Sequence, residues 1–395
     1  MFAPFRSWFH GLILPMILPA LLVPPTATAA PTPPVPPKDI DLVLCLDVSG
    51  SMDGLIESAK LRLWDIVNEL AKVKPVPNLR VGLYSYGHNT YDAQSGWVRK
   101  ELSLTTDLDD VYARLNALTT NGGVELVARV CRDALRDQPW SRQANALKII
   151  FVCGNEEVDQ DKQVKLGDVA EQARKAGIII NTIYCGPDND TIAAGWRTFA
   201  LQCNGSYANI DQDRARTQQV IATPFDKPLL ELNEKLNRTY VAYGVAGREK
   251  LQLQKAQDAA AEKATAAGAA PAAALARVES KANSLYRNST WDLVDRLKED
   301  KTFDLSKLKP EELPEELRQL KPQERLEFLK AKAGEREKLQ AEINQISAQR
   351  AKFIDEARKK MPKSESEKTL DEALKAIIRK QASAVGFEVP AASQP

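Results

Sequence analysis

Histidine is the scarcest informative residue in this 395-residue chain, with His10 and His88 the only two. A zinc centre built on several imidazoles is therefore excluded. Charge of one sign is missing too, since 54 Lys and Arg stand against 53 Asp and Glu. That balance excludes a nucleic-acid partner held through bulk positive charge. Cys45, Cys131, Cys153, Cys185 and Cys203 are the five cysteines, too few to scaffold a chain of this length. Their odd number leaves at least one thiol over. In an oxidising compartment one or two pairs could form, and Cys185 and Cys203, which flank a loop and a helix, are the leading candidate, whereas Cys45 and Cys153 read as buried thiols inside apolar runs. No glycine-rich phosphate loop is present. Beyond the N-terminus no segment is apolar for long enough to cross a bilayer, so no transmembrane segment is expected in the mature chain.

What is present begins with an export pattern over residues 1–29. Arg6 supplies a positive flank, Gly11 to Val23 an apolar run, and Ala27-Thr28-Ala29 a small-x-small cleavage site, with cutting expected after Ala29. The alternative is an uncleaved anchor, but Pro15 and Pro19 interrupt the run, and it is shorter than the roughly 18 residues a span needs. The expectation is a secreted protein, or one of the periplasm or cell envelope. Residues 30–38, containing PTPPVPPK, form a stiff proline-rich linker.

From Asp39 the texture changes. IDLVLCLD (Ile40 to Asp47), LRVGLYSY (Leu79 to Tyr86), LKIIFVC (Leu147 to Cys153) and GIIINTIYC (Gly177 to Cys185) are short, nearly continuous apolar runs that predict buried strands. Trp97 to Leu104 is a weaker strand and Ser206 to Ile210 a short closing one. Helical spacing appears over Leu55–Val73, Leu108–Leu118, Glu125–Leu135, Val169–Ala176 and Ile192–Gln202. Strands apolar on both faces, alternating with helices, predict an α/β fold: a doubly wound, mostly parallel sheet over residues 39–223.

Residues 224–395 predict an all-α, charged C-terminal region. Gly268 and Pro271 break its first helix, and Leu275, Val278, Ala282, Leu285, Leu293 and Leu297 form a stripe. A long helix follows over about Gln323–Lys359, with Leu339, Ile343, Ile346, Phe353 and Ala357 on one seam that Arg350 interrupts. A last helix spans about Glu367–Ala384. A hairpin, small bundle or short coiled coil would satisfy this pattern, and self-association through these helices is one expectation it raises.

The chemistry concentrates in Asp47-Val48-Ser49-Gly50-Ser51, where the first strand meets the first helix. One carboxylate and two hydroxyls at alternate positions can converge on a hard cation, and oxygen-only ligation suits Mg2+ or Mn2+. A partner's carboxylate could then replace a metal-bound water. The other reading is that Asp47 and the serines cap the first helix.

Here the chain resembles the von Willebrand factor type A (VWA) domain family. The resemblance covers about Asp39 to Thr223. It rests on IDLVLCLDVSGSM, on Asn121-Gly122-Gly123, on KIIFVCGNE and on GWRTFALQCNGSYANI. It implies a doubly wound sheet with one antiparallel edge strand and a metal-ion-dependent adhesion site. Asp47, Ser49 and Ser51 match that site's first ligand group. It also implies ligand binding, not catalysis.

Two positions depart from the family pattern. Val124 follows the double glycine where a threonine is usual, and Cys153-Gly154-Asn155 stands where an aspartate usually ends the fourth strand. Glu125, Asn155, Glu156 and Glu157 are close enough in sequence to substitute, as are Thr119 and Thr120. His88 follows the second strand and, with a serine, could mimic a hydrolase triad, but the nucleophile-elbow pattern is missing.

The sequence thus predicts an exported, non-enzymatic binding protein. Its metal face at Asp47, Ser49 and Ser51, aimed outward to solvent, would take a protein ligand with an exposed carboxylate. The alternative is a metal-independent envelope scaffold assembled through the C-terminal helices.

Overall fold

The structure, a computed structural model, describes residues 1, 37–52, 63–210, 221–266, 272–360 and 370–389. The expected leader, most of the proline-rich linker, the first turns of the first helix, the Gly268–Pro271 break and the start of the last helix lie outside these residues.

Six strands make one sheet: β1 (Asp39–Asp47), β2 (Asn78–Tyr86), β3 (Val98–Thr105), β4 (Leu147–Gly154), β5 (Ile179–Tyr184) and β6 (Tyr207–Asn209). The spatial order is β3-β2-β1-β4-β5-β6. All neighbours are parallel except β2 and β3, which run antiparallel at one edge. β3 is the least buried long strand, as its Arg99, Lys100 and Glu101 suggest.

Helical residues 63–70 (α1), Leu108–Ala117 (α2), Val127–Asp137 (α3), Leu166–Ala176 (α4) and Ala193–Gln202 (α5) cover the sheet. Strand side chains alternate between faces, and the core divides accordingly. Leu42, Leu44 and Leu46 of β1 join Val81, Leu83 and Phe151 beneath α1 and α2, with Trp64, Val67, Val111 and Tyr112. Val43 and Cys45 point the other way, toward Val130 and Cys131 of α3, Val169 of α4 and Trp196 of α5. Being covered on both sides is why these strands read as unbroken apolar runs.

The C-terminal region comprises α6 (Asp226–Asn237), α7 (Gly244–Ala266), α8 (Ala272–Ala282), α9 (Leu293–Glu299), α10 (Glu315–Arg318), α11 (Pro322–Arg358) and α12 (Leu370–Ala384). These helices do not build a separate core. Leu275, Val278, Leu285, Ile343, Ile377 and Phe387 belong to the same apolar cluster as Leu42 and Trp64. Residues 37–395 form one compact unit. A smaller cluster of Val241, Leu293, Leu305, Leu317 and Leu329 fills the far side of the helical region.

The 37-residue α11 packs on α6, α8 and α9. Leu329, Arg336 and Ile343, spaced by seven, are its buried residues, while Phe353 is 39% exposed. Arg350 interrupts the apolar seam in order to pair with Asp226 at 2.8 Å. The last helix is fixed by side chains as well as by packing. The Gln381 amide donates to Asn181 of β5 at 2.7 Å and accepts from it at 3.1 Å, both residues buried. Beyond α12, Glu388 exchanges backbone hydrogen bonds with Lys74 at 2.9 and 2.8 Å.

All five cysteines are buried and none is joined in a disulfide, so the candidate Cys185–Cys203 bridge is not formed. Cys185 lies in the cluster under α1 and α2, and Cys203 in the one under α3–α5. The sheet separates them.

Candidate functional site

β1 is flanked by β2 on one side and β4 on the other, so the chain leaves its carboxyl end in a crevice where neighbouring connections diverge. Ligands of doubly wound folds bind at such a point. Asp47 is the last residue of β1. Its neighbour Val48 donates its N–H to the Tyr86 carbonyl at 2.8 Å and accepts from the Asn121 N–H at 3.0 Å. Those bonds tie the ends of β1 and β2 to the 121–123 loop.

The segment then turns back on itself. The Ser49 N–H donates to Asp47 Oδ1 at 2.8 Å, an aspartate turn of the kind short acidic side chains favour. The Met52 N–H closes on the Ser49 carbonyl at 3.1 Å. Whether Asp47 and the serines also cap the following helix lies outside the described residues.

Two glycines allow the surrounding loops to close in. Gly87, at φ +83°, sits so that a Cβ would fall 3.0 Å from Asp47 Oδ1 and 3.2 Å from Glu125 Cγ. Gly123 is tighter, because its Cβ would lie 2.2 Å from the Gly87 carbonyl oxygen. Only a residue without a side chain permits that approach.

Four polar side chains surround the Ser49 hydroxyl or adjoin it. Ser49 Oγ stands 3.2 Å from Ser51 Oγ, and the Ser49 side chain favours the charged forms of the Asp47 and Glu125 carboxylates. The Asn155 amide donates to Ser51 Oγ at 2.9 Å. The Gln160 side chain acts on Glu125 in the same direction. The β4–α4 loop that carries Asn155 and Glu156 is held by the Trp196 indole, which donates to the Glu156 carbonyl at 2.8 Å.

Asp47 is fully buried, and its Oδ2 has no hydrogen-bond partner. Burial pushes its pKa up to about 7; the Ser49 N–H and hydroxyl oppose the rise, and the charges of Glu125 and Glu156 add to it. Glu125 is raised for the same first reason, burial, with Glu156 contributing. Among the described residues, no basic group appears among these causes.

These positions revise one expectation. Of the three predicted oxygen ligands only Ser51 is exposed; Asp47 and Ser49 are buried. The cause is the Gly87 turn and the Glu125 side chain, which close over them. Of the proposed substitutes, Glu125 and Asn155 do reach the site, and the exposed Glu156 acts on it through its charge. Val124 is exposed.

His88 engages elsewhere. Its Nδ1 is 2.8 Å from the Thr90 hydroxyl, and its ring stacks on Tyr91 with centroids 4.9 Å apart. Sequence reasoning did not find Gly87 and Gln160. Gly87 was detectable in principle, since it follows a strand expected beside the first.

Among the described residues no group of three or more His, Cys, Asp or Glu side chains is placed to hold a metal. The oxygen donors gathered at this strand end are two acids, two hydroxyls and an amide, a chemistry that suits a hard divalent cation. The orphaned, buried Asp47 Oδ2 fits such an ion.

Comparison with curated proteins gives no match. Among solved structures, proximal thread matrix protein 1 from the mussel byssus, with zinc in its metal-ion-dependent adhesion site motif, is 13% identical. That match covers 46% of this chain and 44% of the mussel chain, with a TM-score of 0.37. The SpRpn10 VWA domain is 16% identical over 47% of this chain and 100% of its own, TM-score 0.35. A von Willebrand factor type A protein from Catenulispora acidiphila is 15% identical over 45% and 40%, TM-score 0.34. This chain thus spans less than half of the mussel and Catenulispora chains. The family model matches residues 41–222, the stretch that folds into the six-stranded sheet and its covering helices. Residues 41–222 are a von Willebrand factor type A domain.

Proposed function

We propose that this chain is an exported, non-enzymatic binding protein whose VWA domain meets a protein ligand at the rim of β1. VWA domains are commonly used for protein–protein binding and adhesion, and members of the family can bind a divalent metal. Asp47, Ser49 and Ser51 would hold Mg2+ or Mn2+. The ion would supply a positive charge able to accept an exposed carboxylate of the partner. Ser51, the exposed member, marks the side from which a ligand approaches.

The observation that carries this reading is the buried Asp47 carboxylate, with one oxygen held by the Ser49 N–H and the other without a partner. An uncompensated buried polar atom costs about 1–3 kcal/mol, and a bound cation relieves that cost. Export rests on the leader pattern of residues 1–29.

Isothermal titration calorimetry of the full chain with Mg2+ and Mn2+, wild type against Asp47→Ala, tests the metal. Saturable heat in the wild type that the variant loses is expected. No metal-dependent heat in either protein would leave the scaffold reading ahead. That second reading draws on α11, most of whose surface faces solvent. Light scattering decides it, since a monodisperse monomer removes self-association.

A further inference from the structure

We propose that Glu125 is a metal ligand of this site, and that the acid missing from β4 has moved across the crevice to the start of α3. This inference rests on the cation-binding reading of Asp47, Ser49 and Ser51 and specifies how that site is completed.

The family pattern places a neutral hydroxyl after the double glycine and an acid at the end of the fourth strand. Here the order is reversed. The 121–125 loop brings a carboxylate, Glu125, one residue after Val124, and the end of β4 brings a neutral amide, Asn155. The two exchanges leave two acids in the set, Asp47 and Glu125, so the local charge available to a divalent ion is unchanged.

The geometry agrees. One point in space, where a Gly87 side chain would begin, is 3.0 Å from Asp47 Oδ1, 3.2 Å from Glu125 Cγ and 3.6 Å from Ser49 Cβ. The side chains of all three residues therefore gather under a single turn. Ser51 Oγ stands 3.2 Å from the Ser49 hydroxyl beside them. Within this group Asp47 Oδ2 is wholly buried without a partner. A cation among these oxygens meets that deficit. On the opposite edge, the Asn155 amide donates to Ser51 Oγ at 2.9 Å and its oxygen lies 3.3 Å from the same hydroxyl.

Gly123 explains why the acid can sit where it does. Its contact with the Gly87 carbonyl presses the loop against the end of β2, and Val124 turns outward to solvent. The next side chain, Glu125, then turns inward.

Electron paramagnetic resonance of free Mn2+, titrated with the full chain, measures this directly. Wild type, Glu125→Gln, Asn155→Asp and the double variant are compared, with Asp47→Ala as the reference loss. Glu125→Gln is expected to weaken Mn2+ binding about tenfold or more. Adding Asn155→Asp to it is expected to restore most of that loss, because the acid returns to the β4 edge. Circular dichroism on each variant verifies folding, and Glu125→Asp, one methylene shorter, should bind with intermediate strength.

Unchanged affinity in Glu125→Gln, together with loss in Asp47→Ala, overturns the Glu125 assignment and leaves the cation reading intact. No Mn2+ binding by the wild type overturns both. A double variant as weak as Glu125→Gln overturns the exchange of positions.

Discussion

The Asp109 carboxylate of α2 and the Arg277 guanidinium of α8 lie 2.8 Å apart, each side chain about 2% exposed or less. Asp109 belongs to the VWA domain and Arg277 to the helical region, so this pair crosses the joint between them. Arg277 also meets Asp258 at 2.5 Å, and its guanidinium lies 5.2 Å from the centre of the Trp64 ring. The Tyr286 hydroxyl donates to Asp109 at 2.5 Å. Asp258 in turn holds Lys281 at 2.7 Å, where burial lowers the lysine's pKa to about 8 against the pull of that carboxylate. A cluster of this kind orients two surfaces, because each charge is tolerated in the interior only when its partner is in place.

Removing one side of the pair should therefore be severe. Arg277→Ala is expected to destabilise the chain by about 3–5 kcal/mol, the cost of leaving a buried charge alone. Urea denaturation followed by both far-UV and tryptophan signals checks it. Coincident transitions are expected, since the domain and the helices share one apolar cluster. Two separate transitions would contradict a common core.

Without metal, stability should depend on the Asp47 proton. The folded pKa of about 7 lies above the ordinary carboxylate value of 3.8, so the native state binds the proton more tightly than the unfolded chain. Stability from this group is fully present below pH 4 and is lost as pH rises toward 7. The lost amount is on the order of a few kcal/mol. Asp47→Asn is expected to match the wild type near pH 4 and to exceed it near pH 8. Thermal melts across that range in a chelator measure the gap, and added Mn2+ should narrow it for the wild type alone.

Gly123→Ala tests the loop contact. A Cβ placed 2.2 Å from the Gly87 carbonyl oxygen forces backbone apart, at about 1–3 kcal/mol for overpacking of this kind. Mn2+ binding should weaken in the same variant, because Glu125 is two residues away. Stability unaltered by the substitution would mean that the loops do not touch.

The cysteines give a simple chemical check. All five are buried thiols, and burial raises their pKa values, which slows reaction with thiol reagents. The native chain is expected to resist Ellman's reagent and the urea-unfolded chain to titrate five thiols. A reductant should leave the melting temperature unchanged.

Much of the fold was legible in the amino-acid order. A strand covered on both faces needs a continuous apolar run, and IDLVLCLD, LRVGLYSY and LKIIFVC supply it; an amphipathic helix needs apolar spacing near 3.6, and Leu108–Leu118 supplies that. The position of Asp47, Ser49 and Ser51 at the end of a central strand followed from the same pattern. These are local properties, carried by neighbours in sequence.

Contacts between distant segments are not. Gly87, Glu125 and Asn155 meet Asp47 and the serines only because β2, the α3 loop and the end of β4 surround one strand end. The Cys185–Cys203 pair looked natural along the chain until the sheet came between them. The helical region gave the same lesson: its leucines announced that they needed cover, but the VWA face provides it through Trp64, Tyr112 and Asn181. Hydrophobic periodicity records how much surface a helix must bury. Which surface it meets is decided by the shape and charge of residues far away in the chain, and by the folded arrangement that brings them together.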